Sequence, residues 1–329
     1  MIKTRWGILG PGKIAHKMAQ DLTNIPEAEI YAVGSRSLDR ARAFADTYQI
    51  PQAFGSYQEL ATCEEVDVIY IATPHDGHFE NTLMCLGNKK AVLCEKPLAI
   101  NGRQAHQMIE ESRQQQVFLM EAIWTRFLPQ THYVLDIIRQ GMIGEVHSVK
   151  ADFGFPAPYD PSGRLFNPDL GGGALLDIGI YPLFLSLLIL GKPSDIKASA
   201  VMAPTGVDVE HGILLNYGNN SCAHLHATLR NQTRSEAFIY GTEGYIQIHT
   251  RWHEPPGTVT LVRRGERPVV KDFPDSSNGY RHEALEVMAC LQQGKIESDQ
   301  LPHQFSRDLM ELLDAVRVRM GLVYPQDKG

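Results

Sequence analysis

No Cys-x-x-Cys pair occurs among the five cysteines, Cys63, Cys85, Cys94, Cys222 and Cys290, and their number is odd. Scattered in this way they fit reduced, mostly buried thiols in a cytoplasmic protein rather than a disulfide framework. Basic residues are not in excess. The 31 Lys and Arg stand against 38 Asp and Glu, giving a formal net charge of -7 and no footprint for nucleic acid or an anionic membrane. Any phosphate recognition must then be local. Membrane-spanning runs are also missing: the best apolar stretch, Pro182–Leu190, stops at Gly191-Lys192. The N-terminal apolar run is too short for a signal peptide. With no Gly-x-Ser-x-Gly elbow, a serine hydrolase has no support. Cys222, His224 and His226 alternate along one strand, but no second cluster at metal spacing accompanies them. They read as a polar sheet face or a subunit contact, and no metal is expected.

What is present is an ordinary globular composition, 43% hydrophobic and 21% charged, over 329 residues, enough for two domains. Residues 4–120 alternate strand and helix. Strands are predicted at Trp6–Leu9, Glu29–Val33, Val66–Ala72, Ala91–Cys94 and Val117–Met120. Between them come helices at Ile14–Leu22 (Ile14, Met18 and Leu22 on one face), Ser37–Thr47, Gly77–Leu86 and Asn101–Gln115. Ser56 and Glu59 form a capping-box pair opening a short further helix. This alternation predicts a parallel sheet covered by helices on both faces.

After about residue 140 the pattern changes to strands joined by tight turns, at Gly218-Asn219-Asn220 and Gly241-Thr242-Glu243-Gly244, which predicts an antiparallel sheet. The strand-like segments are Val146–Phe153, Ile196–Met202, Gly212–Tyr217, Cys222–Leu229, Glu236–Tyr240, Tyr245–His249 and Val259–Val262. An apolar helix over Gly179–Leu190 is expected against that sheet, with later helices at Glu283–Leu291 and Phe305–Met320.

Chemistry concentrates at four places. Gly10-Pro11-Gly12-Lys13-Ile14-Ala15 follows the first strand and opens the first helix, the context a dinucleotide fingerprint requires. Gly10 permits the tight turn, Gly12 lets backbone approach a diphosphate, and the helix N-terminus favours the anion. The second strand ends in Gly34-Ser35-Arg36-Ser37, with Arg40 one turn on, where an NAD site usually carries an acid. A hydroxyl and two guanidiniums suit a 2′-phosphate, so NADP is expected over NAD. Solvated helix-start charges are the competing reading for the two arginines. Thr73-Pro74-His75-Asp76-Gly77-His78 follows the most apolar strand and should border the nicotinamide half. His75 and His78 read as caps or hydrogen-bonding groups before acid/base groups.

Ala91–Pro97 is an apolar strand ending in Glu95, Lys96 and Pro97, which places Lys96 in the crevice where ligands of open α/β sheets sit. A surface ion pair with Glu95 is its competing reading. Finally, Gly171-Gly172-Gly173 precede Ala174–Tyr181, in which Asp177 and Tyr181 are four apart and share one helical face.

Taken together, Cys94-Glu95-Lys96-Pro97 and the Gly171–Tyr181 segment resemble the glucose-fructose oxidoreductase/inositol dehydrogenase/MocA family over essentially the whole chain. Met120–Phe127 and the tail Tyr324–Lys328 resemble its dimeric dihydrodiol dehydrogenase branch, which includes NADP-linked pentose dehydrogenases. Many family members have His where this chain has Tyr181, which fits the dihydrodiol branch and speaks against an inositol-dehydrogenase-type mechanism. The resemblance implies a Rossmann dinucleotide-binding domain over residues 1–121. A substrate-binding and oligomerisation domain on an open, mainly antiparallel sheet would follow over 122–329, its C-terminal helix free to pack back on the first domain.

The same resemblance implies Lys96 and Tyr181 as the catalytic pair with Asp177 in support, and either Lys96 or Tyr181 as the group that moves the proton. Cofactor contacts are implied for Gly10, Gly12, Lys13, Ile14, Ser35, Arg36, Arg40, Thr73, His75, His78, Glu95, Lys96 and Arg126. Substrate contacts are implied for Trp124, Phe153, Asp177, Tyr181 and Trp252, each with a plain core role as the alternative for the aromatic rings. The expected protein is a cytoplasmic homodimer acting on a sugar or diol with NADP. The rival expectation is a catalytically silent NADP-binding sensor or scaffold, which need not keep Lys96, Asp177 and Tyr181 together.

Overall fold

A computed structural model describes residues 3–328. The chain folds as two units, one running to Trp124 and including Ser277–Arg307, the other holding Thr125–Ser276 and the chain from Asp308.

The first unit is built on six parallel strands. These are β1 (Thr4–Leu9), β2 (Ala28–Gly34), β3 (Gln52–Phe54), β4 (Val68–Ile71), β5 (Ala91–Glu95) and β6 (Leu119–Ala122), in the order β3-β2-β1-β4-β5-β6. The order reverses between β1 and β4, which is where an open α/β sheet leaves its ligand crevice. β4 and β5 are buried along their whole length, as a doubly covered parallel sheet requires. The Ser56–Glu59 capping box and the Asn101 cap on the amide of Gln104 form as expected. One face assignment needs correction. Helix Lys13–Thr23 buries Ala15, Met18, Ala19 and Leu22, whereas Ile14, in its first turn, stays 36% exposed. The returning helix Tyr280–Gln292 is capped from a distance: the buried carboxylate of Asp21 accepts the backbone N–H groups of Asn278 (2.8 Å) and Arg281 (3.1 Å). An anion at that end also opposes the positive end of the helix dipole.

The second unit carries an eight-stranded sheet. Its strands are β7 (Val146–Gly154), β8 (Asp195–Met202), β9 (Asp208–Asn216), β10 (Cys222–Thr228), β11 (Ala237–Gly241), β12 (Gly244–Ile248), β13 (Gly257–Arg263) and β14 (Val269–Phe273). They run in the order β14-β13-β12-β11-β7-β10-β9-β8. Every pair is antiparallel except β7 with β10, which join the two meanders in parallel. Small residues on one face, Ala151, Ala223 and Ala227, are almost wholly buried and let helix Ile180–Leu190 lie close. The opposite face presents Lys150, Ser148 and His224.

Elements that periodicity did not show are β3, β14 and the helix Pro129–Arg139. β3 is three residues long, and β14 is an exposed edge strand with no buried face to leave a pattern. The apolar segment also extends further than the sequence indicated. Pro168–Leu190 is long and apolar enough to cross a membrane, yet 83% of its most apolar window is buried inside the protein, as for a core helix.

Phe184 is fully buried in helix Ile180–Leu190. Phe184→Ala is expected to lower the unfolding free energy by about 3–5 kcal/mol, measured by urea titration of full-length protein. A loss below about 1 kcal/mol would show that this helix is not a core element.

Candidate active site

In the first unit, β1 runs directly into Gly10, whose φ of +89° places it in the left-handed region. A Cβ there would lie 3.2 Å from Thr73 Cγ2 and 3.3 Å from the backbone of Ala72, so the turn is pressed against the end of β4. Gly12 follows as the N-cap of helix Lys13–Thr23 and offers no side-chain cap. The amides of the first turn are thus left for an external acceptor, which is the arrangement that binds a diphosphate. Gly10 donates its N–H to Gly34 O at 3.0 Å, which ties the glycine turn to the end of β2. There Ser35 is buried and accepts the amide of Ser37 (3.3 Å), while Arg36 and Arg40 are exposed. The exposed Ile14 and Lys13 stand on the same first turn.

Thr73 Oγ1 is buried and has no hydrogen-bond partner among the described residues. A glycine turn against β4, an uncapped helix start and an orphaned hydroxyl at the switch point together fit a dinucleotide. His75 is half-buried, its ring 5.7 Å from that of His78. His78, expected among the cofactor contacts, has both ring nitrogens at backbone carbonyls. It is fully buried, with Nδ1 2.8 Å from Pro97 O and Nε2 3.0 Å from Thr73 O. Burial pushes its pKa down to about 4, with Lys96 adding in the same direction. A neutral ring donates only one N–H, so it satisfies one of those two carbonyls at a time. The ring thus bridges the segment after β4 and the segment after β5.

Lys96 stands at the end of β5, half-buried and joined to Pro97 by a cis peptide bond. Its backbone N–H donates to Glu95 Oε2 at 3.2 Å, and Tyr70 donates its hydroxyl to Glu95 Oε1. The next amide, Leu98 N–H, is taken by Glu121 Oε1 at 2.9 Å, while Ser306 donates to Glu121 Oε2 at 2.7 Å. Burial raises Glu121 to about 7 despite those bonds and the lowering effect of Lys96. Glu283, fully buried with neither oxygen hydrogen-bonded among the described residues, is held well above the ordinary carboxyl range by burial and then by Glu95 and Asp21. Burial in this way favours its neutral form. Trp124 also belongs to this unit, its ring 4.7 Å from Tyr280.

The second unit holds Asp177 and Tyr181. The expected α-helix is preceded by a π-helical turn, Leu175–Gly179, so Asp177 sits on a wider turn than the four-residue spacing suggested. Such turns occur frequently at functional sites. Asp177 is buried and its Oδ1 accepts Arg164 Nη1 at 2.7 Å, a partner thirteen residues away that no motif indicated. Tyr181 meets Phe153 edge-on at 5.8 Å and the ring of His253 at 5.1 Å. His253 stacks on Phe153 at 3.8 Å. It was not foreseen because its loop has no periodic pattern. Threonine and glutamine side chains hold that loop: Thr125 Oγ1 donates to His253 O (2.7 Å) and Gln130 Nε2 to Glu254 O (3.2 Å). Trp252, expected to line the substrate site, is 2% exposed and donates its indole N–H to Asp152 O at 2.9 Å, behind His253. Arg126 lies in this unit too, half-buried on the short turn Trp124–Phe127.

A parallel sheet with its glycine turn at the switch point, followed by a mainly antiparallel sheet, defines a dinucleotide-binding chain with an added sheet domain. Residues 4–123 match the family described as "Oxidoreductase family, NAD-binding Rossmann fold", and residues 131–247 match the "GFO/IDH/MocA C-terminal domain". The chain belongs to the GFO/IDH/MocA oxidoreductase family, as its motifs implied. It is 39% identical to trans-1,2-dihydrobenzene-1,2-diol dehydrogenase of Danio rerio, over 98% of each chain. It is 37% identical to the Homo sapiens enzyme of that name, over 98% of this chain and 99% of the relative. Among solved structures it resembles KijD10, a 3-ketoreductase from Actinomadura kijaniata in complex with NADP and TDP-benzene. There the identity is 27%, the TM-score 0.86, and the match covers 97% of this chain and 98% of that one.

The Glu121 carboxyl carries a pH dependence of known sign. Its pKa rises from 4.5 to about 7 on folding, so the native state holds the extra proton between those values and stability falls as pH rises through them. Glu121→Gln removes this term. The variant is expected to match wild type near pH 4.5 and to gain on it by up to about 3 kcal/mol by pH 8, read from paired denaturation curves. His78 titrates in both proteins and cancels in the difference. A gap that is constant with pH would contradict the assignment.

Proposed function

We propose that this chain is an NADP-dependent oxidoreductase that moves a hydride between nicotinamide and a secondary alcohol or carbonyl of a sugar-like or diol substrate. The observation that carries this reading is its likeness, over nearly its whole length, to the trans-1,2-dihydrobenzene-1,2-diol dehydrogenases. The first unit takes the cofactor in this reading. Gly10 and Gly12 face the diphosphate, with Lys13 and Ile14 on the same helix turn. Ser35, Arg36 and Arg40 receive the 2′-phosphate, an anion that two guanidiniums favour and an acid would repel. Thr73, His75, Glu95, Lys96 and Arg126 serve the nicotinamide half, with His78 bracing from beneath.

Bound NADP supplies the hydride acceptor, and NADPH the donor. The protein's own task is the proton on the substrate oxygen. An ordinary phenol titrates near ~10, so Tyr181 needs a nearby positive charge to exchange a proton near neutrality. Lys96 supplies that charge and a hydrogen bond to the same oxygen, and Asp177 orients the substrate or the lysine. Phe153 and His253 provide flat apolar faces suited to a ring or sugar face, with Trp124 and Trp252 as further aromatic surface. By the same family likeness the protein works as a cytoplasmic homodimer through the open face of the eight-stranded sheet.

Steady-state NADPH turnover with a panel of aldoses, dicarbonyls and diols tests the assignment. Lys96→Met and Tyr181→Phe are each expected to lower kcat by about 10²–10⁴. Activity untouched by both would remove this mechanism, and tight NADPH binding without turnover on any substrate would identify a sensor. Arg36→Ala is expected to weaken NADP binding about 10- to 100-fold and NAD binding little, by calorimetric titration. Equal losses for both would place Arg36 away from the 2′-phosphate.

A further inference from the structure

Behind the π turn lies a buried pair that the reaction does not use. His211, on β9, brings Nδ1 to 2.8 Å from Asp208 Oδ2, and both side chains are shut off from solvent. The same carboxylate oxygen accepts the backbone N–H of Leu175, the first residue of the π turn, at 3.0 Å. At the other end of the turn, a Cβ on Gly179 would lie 2.6 Å from His211 Cε1 and Nε2, so the imidazole edge is a hard stop against that backbone. The tail adds a third hold. Tyr324, fully buried, donates its hydroxyl to Gly172 O at 2.5 Å and is itself fixed by its amide on Asp327 Oδ2. Arg317 bonds that same aspartate at 2.8 Å. Gly173 O then receives the amide of Asp177 at 3.3 Å.

Leu175 is thus held by Asp208, Gly179 by His211, and Gly172 by Tyr324. Between these holds stands Asp177, and Tyr181 follows two residues beyond Gly179. We infer that Asp208, His211 and Tyr324 are positioning residues that set the register of the π turn and with it the placement of Asp177 and Tyr181. None of the three belongs to the groups assigned to substrate or cofactor. The inference rests on the reading of Asp177 and Tyr181 as reaction groups, and its test separates the two.

Full-length His211→Asn, Gly179→Ala, Tyr324→Phe and the Gly179→Ala/His211→Asn double variant are compared by hydrogen–deuterium exchange and by turnover. Asn keeps a polar partner for Asp208 but withdraws the imidazole edge, and Tyr324→Phe removes one hydroxyl only, so folding is preserved in at least that variant. Gly179→Ala and Tyr324→Phe are expected to raise exchange in peptides covering residues 172–182 about tenfold, with strand Asp195–Met202 unchanged. They should lower kcat at least tenfold while leaving the KM for NADPH at its wild-type value. The double variant should regain activity over Gly179→Ala alone, because the smaller side chain makes room for the added methyl. Exchange and kcat at wild-type levels in all variants, or a double variant no better than the two losses multiplied, would overturn the inference. Full turnover by Tyr181→Phe with the exchange changes intact would instead retire the catalytic reading and leave the positioning of the turn standing.

Discussion

In each unit a buried carboxylate grips backbone N–H groups of a turn next to the residues proposed to react, Lys96 in one and Asp177 and Tyr181 in the other. Glu95 takes the amide of Lys96 itself, Glu121 takes that of Leu98, and Asp208 takes that of Leu175. The same device starts helix Tyr280–Gln292, where Asp21 takes two amides. A carboxylate accepts several donors at once and stands on a short stem, so it fixes a turn that has no repeating ladder of its own. Leaving those amides buried and unpaired would cost about 1–3 kcal/mol each.

This arrangement has an electrostatic cost that the protein answers differently at each site. Around β5 three carboxyls share one buried region, and burial drives two of them, Glu121 and Glu283, towards their neutral forms. Proton uptake thus limits the negative charge beneath Lys96, whose ammonium in turn lowers Glu121. In the second unit the carboxylates have side-chain partners: Asp177 has the Arg164 guanidinium at 2.7 Å, and Asp208 has the ring of His211 at 2.8 Å. Hydrogen bonds this short fix the orientation of both partners. That is what a turn carrying a phenol and a carboxylate needs.

Much of this was legible in the sequence because it was local. The glycine turn, the Ser56–Glu59 box, the Asn101 cap and the alternation of strand and helix all depend on residues within a few positions of each other. The motif at Lys96 and the segment to Tyr181 were legible for the same reason. What stayed hidden is non-local or short. Asp208 and His211 lie some thirty residues from the turn they hold, and Tyr324 about 150 from Gly172, so no spacing announces them. Arg164 and His253 come from loops without a period. β14 has no buried face, and Ile14 broke the expected stripe because it stands in the exposed first turn of its helix.

The proposed chemistry requires the Lys96 ammonium and the Tyr181 phenol to act on a single substrate oxygen. The most direct measurement is a crystal structure with NADP and a trapped carbonyl or diol ligand. It is expected to show Lys96 Nζ and the Tyr181 hydroxyl both about 2.6–3.2 Å from the reacting oxygen. If that oxygen touches neither group, or the two side chains open into separate cavities, the proposed chemistry is wrong.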